Sequence, residues 1–402
     1  MSSHEETVHS FVSRGGESSG VITRITMRLR TPWHLALAPL LGNCGGAPVG
    51  PAAPAPATAT GAPSSGAVAP VALDDAGSTA AASERRPLAQ ESLDGGGSRV
   101  MAAGPDGADK RLAVERERWK ADRDVELARW TPELHAKAKA LAEKGYASLH
   151  EALAAVLPSP HRKPGNAARD KYRHPAETLA FFGVRPTSTV LEVGPGDGWY
   201  TELLAPTLAA HGRLVTTVTA RGSAENDFAT FAAERWGAFV GKSPELYGKV
   251  ETIAVTPSAL ALDAAGKVDV ALFMREVHGM VNDGTLAAWL AAVRSVLKPS
   301  GVLGIEEHRA KAGSDPGVSA KAGYVPQTWL VQTVEAAGFK LAGSSEINAN
   351  AKDTKDYPAG VWALPPTLRN GALNRQRYLD IGESDRMTLK FVLAASAPVA
   401  AH

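Results

Sequence analysis

From Arg169 onward the chain alternates short apolar runs with longer amphipathic stretches, and this alternation narrows the possible folds more than any other feature. Runs at 189–193, 214–218, 250–255, 268–274 and 302–306 read as strands, and segments such as AENDFATFAAERWGAFV and DGTLAAWLAAVRSVLK read as helices. Strands separated by helices pair in parallel, because the crossover returns each strand in the same direction and covers both sheet faces. Two later strand-like runs, FKLAGSSEI and RMTLKFVLA, are separated by a long irregular segment and predict an antiparallel pair at one edge. The predicted fold class is therefore α/β, with a mostly parallel sheet, an antiparallel edge pair and N-terminal helices.

The first run leads into VLEVGPGDGWYT, a strand entering a glycine cluster and then a helix. In open α/β sheets ligands lie beyond the carboxyl ends of strands, and a turn without Cβ atoms lets a ligand approach the backbone. A phosphate-binding loop requires Lys then Ser or Thr after its second glycine, but Trp199 and Tyr200 follow Gly198 here. A dinucleotide fingerprint requires its third glycine where this chain has Trp199. The spacing present is E-x-G-x-G-x-G, formed by Glu192, Gly194, Gly196 and Gly198 with Pro195 inside the turn.

That motif resembles the first motif of class I S-adenosylmethionine-dependent methyltransferases. LKPSGVLGIEEH is similar to the stretch before their fifth strand, with Ser300 in place of a glycine. Residues 169–393 further resemble a bacterial family of predicted methyltransferases. The segments that carry this are RDKYRHPAETLAFFGV, GPGDGWYTELLAP, MREVHGM, GYVPQ, EAAGFKLAGSSEINAN and GESDRMTLKF. The resemblance implies a Rossmann-like fold, S-adenosyl-L-methionine as cofactor and methyl transfer to an acceptor the family does not define. It also implies that Gly194, Pro195, Gly196 and Gly198 lie under the donor's amino-acid end, with Glu192 helping to position its amino group. Donor folds of this class commonly end the second strand with an acid that holds the ribose. Here that place falls at Thr219, with Glu225 in the following loop as an alternative.

Methyl transfer gains most from alignment, and a base is needed only where the acceptor must lose a proton. The candidates follow the fourth and fifth strands: Arg275, Glu276 and His278, then Glu307, His308 and Arg309. His278, Glu307 and His308 are the expected catalytic residues, and Arg275 is counted with the cofactor-binding set. Alternation along a strand predicts that only one of Glu307 and His308 faces the ligand. Arg173 and His174 precede the first strand as further candidate contacts, and Trp199 and Tyr200 read as packing plus a donor wall. His278, Glu307 and His308 form no compact ligand motif in the sequence, so no metal is expected.

Composition bounds the partners. With 43 Lys and Arg against 42 Asp and Glu, the net charge of +1 gives no reason to expect nucleic acid. The acceptor remains a small molecule, a lipid or a protein. The single cysteine, Cys44, excludes an internal disulfide framework and any cysteine-based metal cluster. It ends MRLRTPWHLALAPLLGNC, whose basic start and apolar run resemble a signal peptide followed by a lipoprotein processing site. This predicts Met27 as the true start and a cell-envelope protein anchored through lipidated Cys44, with a cytoplasmic enzyme as the alternative. The domain boundaries expected are a leader at 1–26, the signal-like segment at 27–44 and an Ala/Pro/Gly/Ser tether at 45–107. A helical appendage at 108–168, the methyltransferase-like domain at 169–394 and a tail at 395–402 follow. Because the donor is a cytosolic metabolite, an exported binding or structural lipoprotein on an inactive scaffold is the rival function.

Overall fold

Seven strands form one sheet in a computed structural model that describes residues 105–395 except 223–226, 257 and 264–265. All of the described residues belong to one unit, Ser83–His402. The leader, the signal-like segment with Cys44, the tether up to residue 104, Glu225 and the end of the tail lie outside the described residues.

The strands are β1 (Thr189–Val193), β2 (Arg213–Thr219), β3 (Glu251–Val255), β4 (Val268–Met274), β5 (Leu297–His308), β6 (Phe339–Ser345) and β7 (Arg386–Leu393). Their order is β3-β2-β1-β4-β5-β7-β6. The first five are parallel, and β7 runs antiparallel to both β5 and β6. This is a Rossmann-like α/β fold, with the antiparallel edge pair expected from the two late strand-like runs. The order reverses between β1 and β4, which places the switch point, where such sheets bind ligands, at the ends of those two strands.

Strands β1, β2 and β4 alternate between two cores. Leu191, Val193, Ala271, Phe273, Leu303, Ile305, Met387 and Leu389 face one side. There they meet α9 (Val277–Asn282), α10 (Leu286–Val296) and α12 (Gln327–Ala336). Val190, Leu214, Val270, Leu272 and Met274 face the other. That side is covered by α2 (Pro132–Glu143), α3 (Leu149–Val156), α5 (Pro175–Phe182), α6 (Thr201–Leu208) and α8 (Pro244–Tyr247). Helix α7 (Phe228–Gly241) packs on β2 and receives α1 (Pro105–Arg129), with Trp119 edge-on to Phe231 at 5.5 Å.

Local sequence sets the ends of the appendage helices. Thr131 caps α2 by accepting the Leu134 N–H, and Pro132 occupies the first turn, where its missing donor costs nothing. Ser148 caps α3, while Glu151 accepts the Ala147 N–H in return. Glu202 of α6 then ties the appendage to the sheet. Fully buried, it accepts the Lys163 N–H at 2.9 Å and the Asn166 side-chain N–H at 2.7 Å, and it pairs with Lys242 at 3.4 Å.

Strand β5 starts five residues earlier than the apolar run indicates. Leu297 pairs with Val268 and Val302 with Val270, so a bulge absorbs the Lys-Pro-Ser-Gly segment. Lys298 holds Asp269 of β4 at 2.8 Å across that irregularity.

Candidate active site at the sheet switch point

Three left-handed glycines follow β1: Gly194, Gly196 and Gly198, with φ of 62°, 56° and 77°. Only glycine takes these values without strain, so the backbone reverses sharply before α6 begins. The Gly198 N–H bonds the Pro195 carbonyl at 2.9 Å, and Thr217 on β2 accepts the Gly194 N–H at 3.3 Å. The space above two of these glycines is taken by the protein's own side chains. A Cβ at Gly194 would lie 2.5 Å from Glu276 Oε2, and one at Gly198 would lie 2.3 Å from the Phe239 ring. Arg235 of α7 pairs with Asp197 inside the turn. Helix α7 thus closes one side of the loop, and the residue after Arg275 closes the other.

Glu192 stands beneath this turn, 2% exposed, and accepts the Thr201 hydroxyl at 2.7 Å. Burial pushes its pKa up to about 7, against the opposing pull of the Thr201 hydrogen bond and the Arg275 charge. Thr219 is exposed at the end of β2, in register with Val255. Trp199 and Tyr200 both pack into the core on the α6 side. Trp199 donates to the Asn166 carbonyl and lies under the Arg162 and Arg173 guanidiniums, while Tyr200 donates to Glu306 at 2.8 Å.

That tyrosine opens onto a buried charge network. Glu306 is fully buried and lies 2.8 Å from Arg386 and 3.4 Å from Arg275. Arg386 continues to Glu383 at 2.6 Å, which also binds Arg169 at 2.8 Å and Arg173 at 2.9 Å. Burial raises the Glu383 pKa, but the charges of Arg169, Arg386 and Arg275 outweigh it and hold the carboxyl below its usual value. Pairs of this kind are costly to break, because removing one partner leaves the other charged and dry. Arg173 therefore lies in this network, His174 lies 3.2 Å from Asn348, and Arg309 turns to Glu346 and Asp385.

The candidate catalytic residues converge at the ends of β4 and β5. His278 Nδ1 lies 3.1 Å from Glu307 Oε1, and the other Glu307 oxygen accepts the His278 backbone N–H. Glu307 thereby also satisfies a donor in the first turn of α9. His308 Nδ1 lies 2.6 Å from the Ser384 hydroxyl, and the two imidazoles are 5.6 Å apart. All three residues are buried, with one potential ligand atom from each lying within 4.8 Å of the others. Strand alternation holds, since Glu307 shares the Ile305 face and His308 the Glu306 face. His278 lies beside both, because β5 ends here. Burial, then the charges of His278, Arg386 and Arg275, hold the His308 pKa well below the usual range. Trp362 and Tyr324 enclose the pair, edge-on at 6.0 Å to His278 and 6.3 Å to His308.

Sequence reading does not single out Thr217, Ser384, Trp362 or Tyr324 for the site. Thr217 is one of three threonines in a strand, and the others lie far along the chain. GYVPQ and GESDRMTLKF, quoted for the family resemblance, do contain Tyr324 and Ser384.

No family model matches the chain, and no curated protein does. Solved structures that overlap it include the glycopeptide N-methyltransferase MtfA complexed with (S)-adenosyl-L-homocysteine, 14% identical over 56% of this chain and 90% of that one, with a TM-score of 0.36. The [4+2]-cyclase SpnF is 16% identical over 56% of this chain and 81% of its own, also at 0.36. The CcbJ methyltransferase from Streptomyces caelestis is 13% identical over 58% and 94%, at 0.37.

Proposed function

We propose that this protein is an S-adenosyl-L-methionine-dependent methyltransferase whose acceptor surrenders a proton to His278. The observation that carries the reading is the juxtaposition at the switch point. The left-handed glycine turn after β1 touches Glu276, and two residues later His278 is locked to Glu307. The cradle fits a donor whose cationic end needs an anionic surface and a backbone without Cβ atoms. On this reading Gly194, Pro195, Gly196 and Gly198 hold the donor's amino-acid end, with Glu192, Thr219 and Arg275 around it. When bound, the donor supplies a methyl group on an electron-poor sulfur.

The chain's own residues supply alignment and proton removal. His278 donates Nδ1–H to Glu307, which leaves Nε2 as the acceptor for a proton from the substrate. Glu307 fixes that tautomer and offsets the positive charge that develops on the ring. His308 stays neutral near pH 7 and orients the acceptor without repelling a charged His278.

Titration of the full chain with S-adenosyl-L-methionine tests the first half. Heat abolished by Gly196→Trp is the expected result, and a silent wild-type titration refutes the reading. For the second half, methyl-labelled donor is supplied with a panel of phenols, amines and carboxylic acids. Against the best acceptor, Glu307→Gln should lower turnover by about 10²- to 10⁴-fold with donor affinity unchanged. Undiminished turnover removes the base from the mechanism.

A further inference from the structure

We propose that Glu276 is the carboxylate that receives the donor's cationic amino group, a role the family resemblance gives to Glu192. The inference rests on reading the glycine turn as a donor site. Two geometric observations support it independently.

The first is contact. A Cβ on Gly194 would lie 2.5 Å from Glu276 Oε2 and 2.6 Å from its carboxyl carbon, so the carboxylate rests on the bare α-carbon at the head of the turn. The second is how the side chain gets there. Glu276 is the N-cap residue of α9, yet its side chain makes no capping hydrogen bond. The preceding residue, Arg275, is left-handed with φ of 67°, and its N–H bonds the Glu306 carbonyl at 2.7 Å. A bulky residue held in that region costs of order 1–3 kcal/mol, and such strain concentrates where it positions a functional group. Here the strained turn separates two side chains: Arg275 runs to Glu306 and Glu276 runs to the glycine turn.

Glu192 is poorly placed as a counter-ion. It is 2% exposed, spends one oxygen on Thr201, and is only about half ionised near pH 7.

The test is calorimetry on the full chain with two probes, S-adenosylhomocysteine and its deamino analogue, which differ only in the amino group. Wild type should bind the first about tenfold to a hundredfold more tightly, the range of one charge-assisted hydrogen bond. Glu276→Gln should reduce S-adenosylhomocysteine to the affinity of the deamino analogue, and should leave the analogue's own affinity unchanged. Glu192→Gln should change the ratio between the probes by less than about threefold, since a half-ionised, hydrogen-bonded carboxyl offers little to an ammonium. If Glu276→Gln leaves the ratio intact, or weakens both probes equally, the assignment is wrong although the donor site stands. A ratio that collapses in Glu192→Gln instead returns the role to Glu192. Wild type that binds neither probe removes the donor reading and this proposal together.

Discussion

Glu192 shows how the same residue can be legible in sequence and altered by its surroundings. Its pKa rises from 4.5 to about 7 because ionising it in a dry site forfeits hydration that Thr201 and Arg275 only partly replace. Below about pH 4.5 it is protonated in both folded and unfolded chains and contributes nothing to the pH dependence. Between there and about pH 7 the folded protein keeps a proton that the unfolded chain has released, so stability falls as pH rises. Above about pH 7 the full penalty is present, at most roughly 3 kcal/mol. Glu192→Gln keeps an acceptor for Thr201 and removes the titration. Its stability relative to wild type should therefore climb between pH 5 and pH 8, measured by urea midpoints at each pH. Parallel curves for the two proteins would mean that Glu192 does not titrate in this window.

At the scale of elements, the fit of α5 on β5 depends on one absent side chain. A Cβ at Gly304 would stand 2.6 Å from Phe182 Cγ, and Phe182 is fully buried on the face shared with Leu272. Gly304→Ala should cost about 1–3 kcal/mol by overpacking, seen as a lower urea midpoint with an unchanged slope. Phe182→Leu in the same chain should recover part of that loss, because the two positions share one contact. Simple additivity of the two single costs would show that the ring moves aside freely. The bulge in β5 belongs to this scale as well. Strand propensity marks 302–306, but the pairing of Lys298 with Asp269 extends the strand back to Leu297.

For the whole molecule, the appendage and the domain form one folded body through buried polar ties. Glu202 joins Lys163, Asn166 and Lys242, and Lys242 also reaches Glu126 of α1 at 3.1 Å. No helix among the described residues is long and apolar enough to cross a membrane. We propose that the chain is attached to a membrane through a lipid on Cys44, with the Ala/Pro-rich stretch as spacer. Cys44→Ser should then move the protein from the membrane fraction to the soluble fraction of the native host, read by immunoblot. Identical fractionation of the two forms would remove the anchor.

The order of strands and helices, the glycine turn and the residues at the ends of β4 and β5 are all legible in the chain. Each is a short-range pattern: period-two apolar runs, amphipathic stretches, and glycines where the backbone must turn left-handed. Which carboxylate meets the turn is not legible, because Glu192 and Glu276 lie 84 positions apart and only the pairing of β1 with β4 brings them together. The same holds for Ser384 beside His308 and Trp362 beside His278, supplied by segments with no periodic signal of their own. Local sequence fixes backbone geometry through sterics acting over a few residues. Desolvation, charge pairing and the proton affinity of a buried acid depend on what the completed fold encloses, and those only the tertiary structure decided.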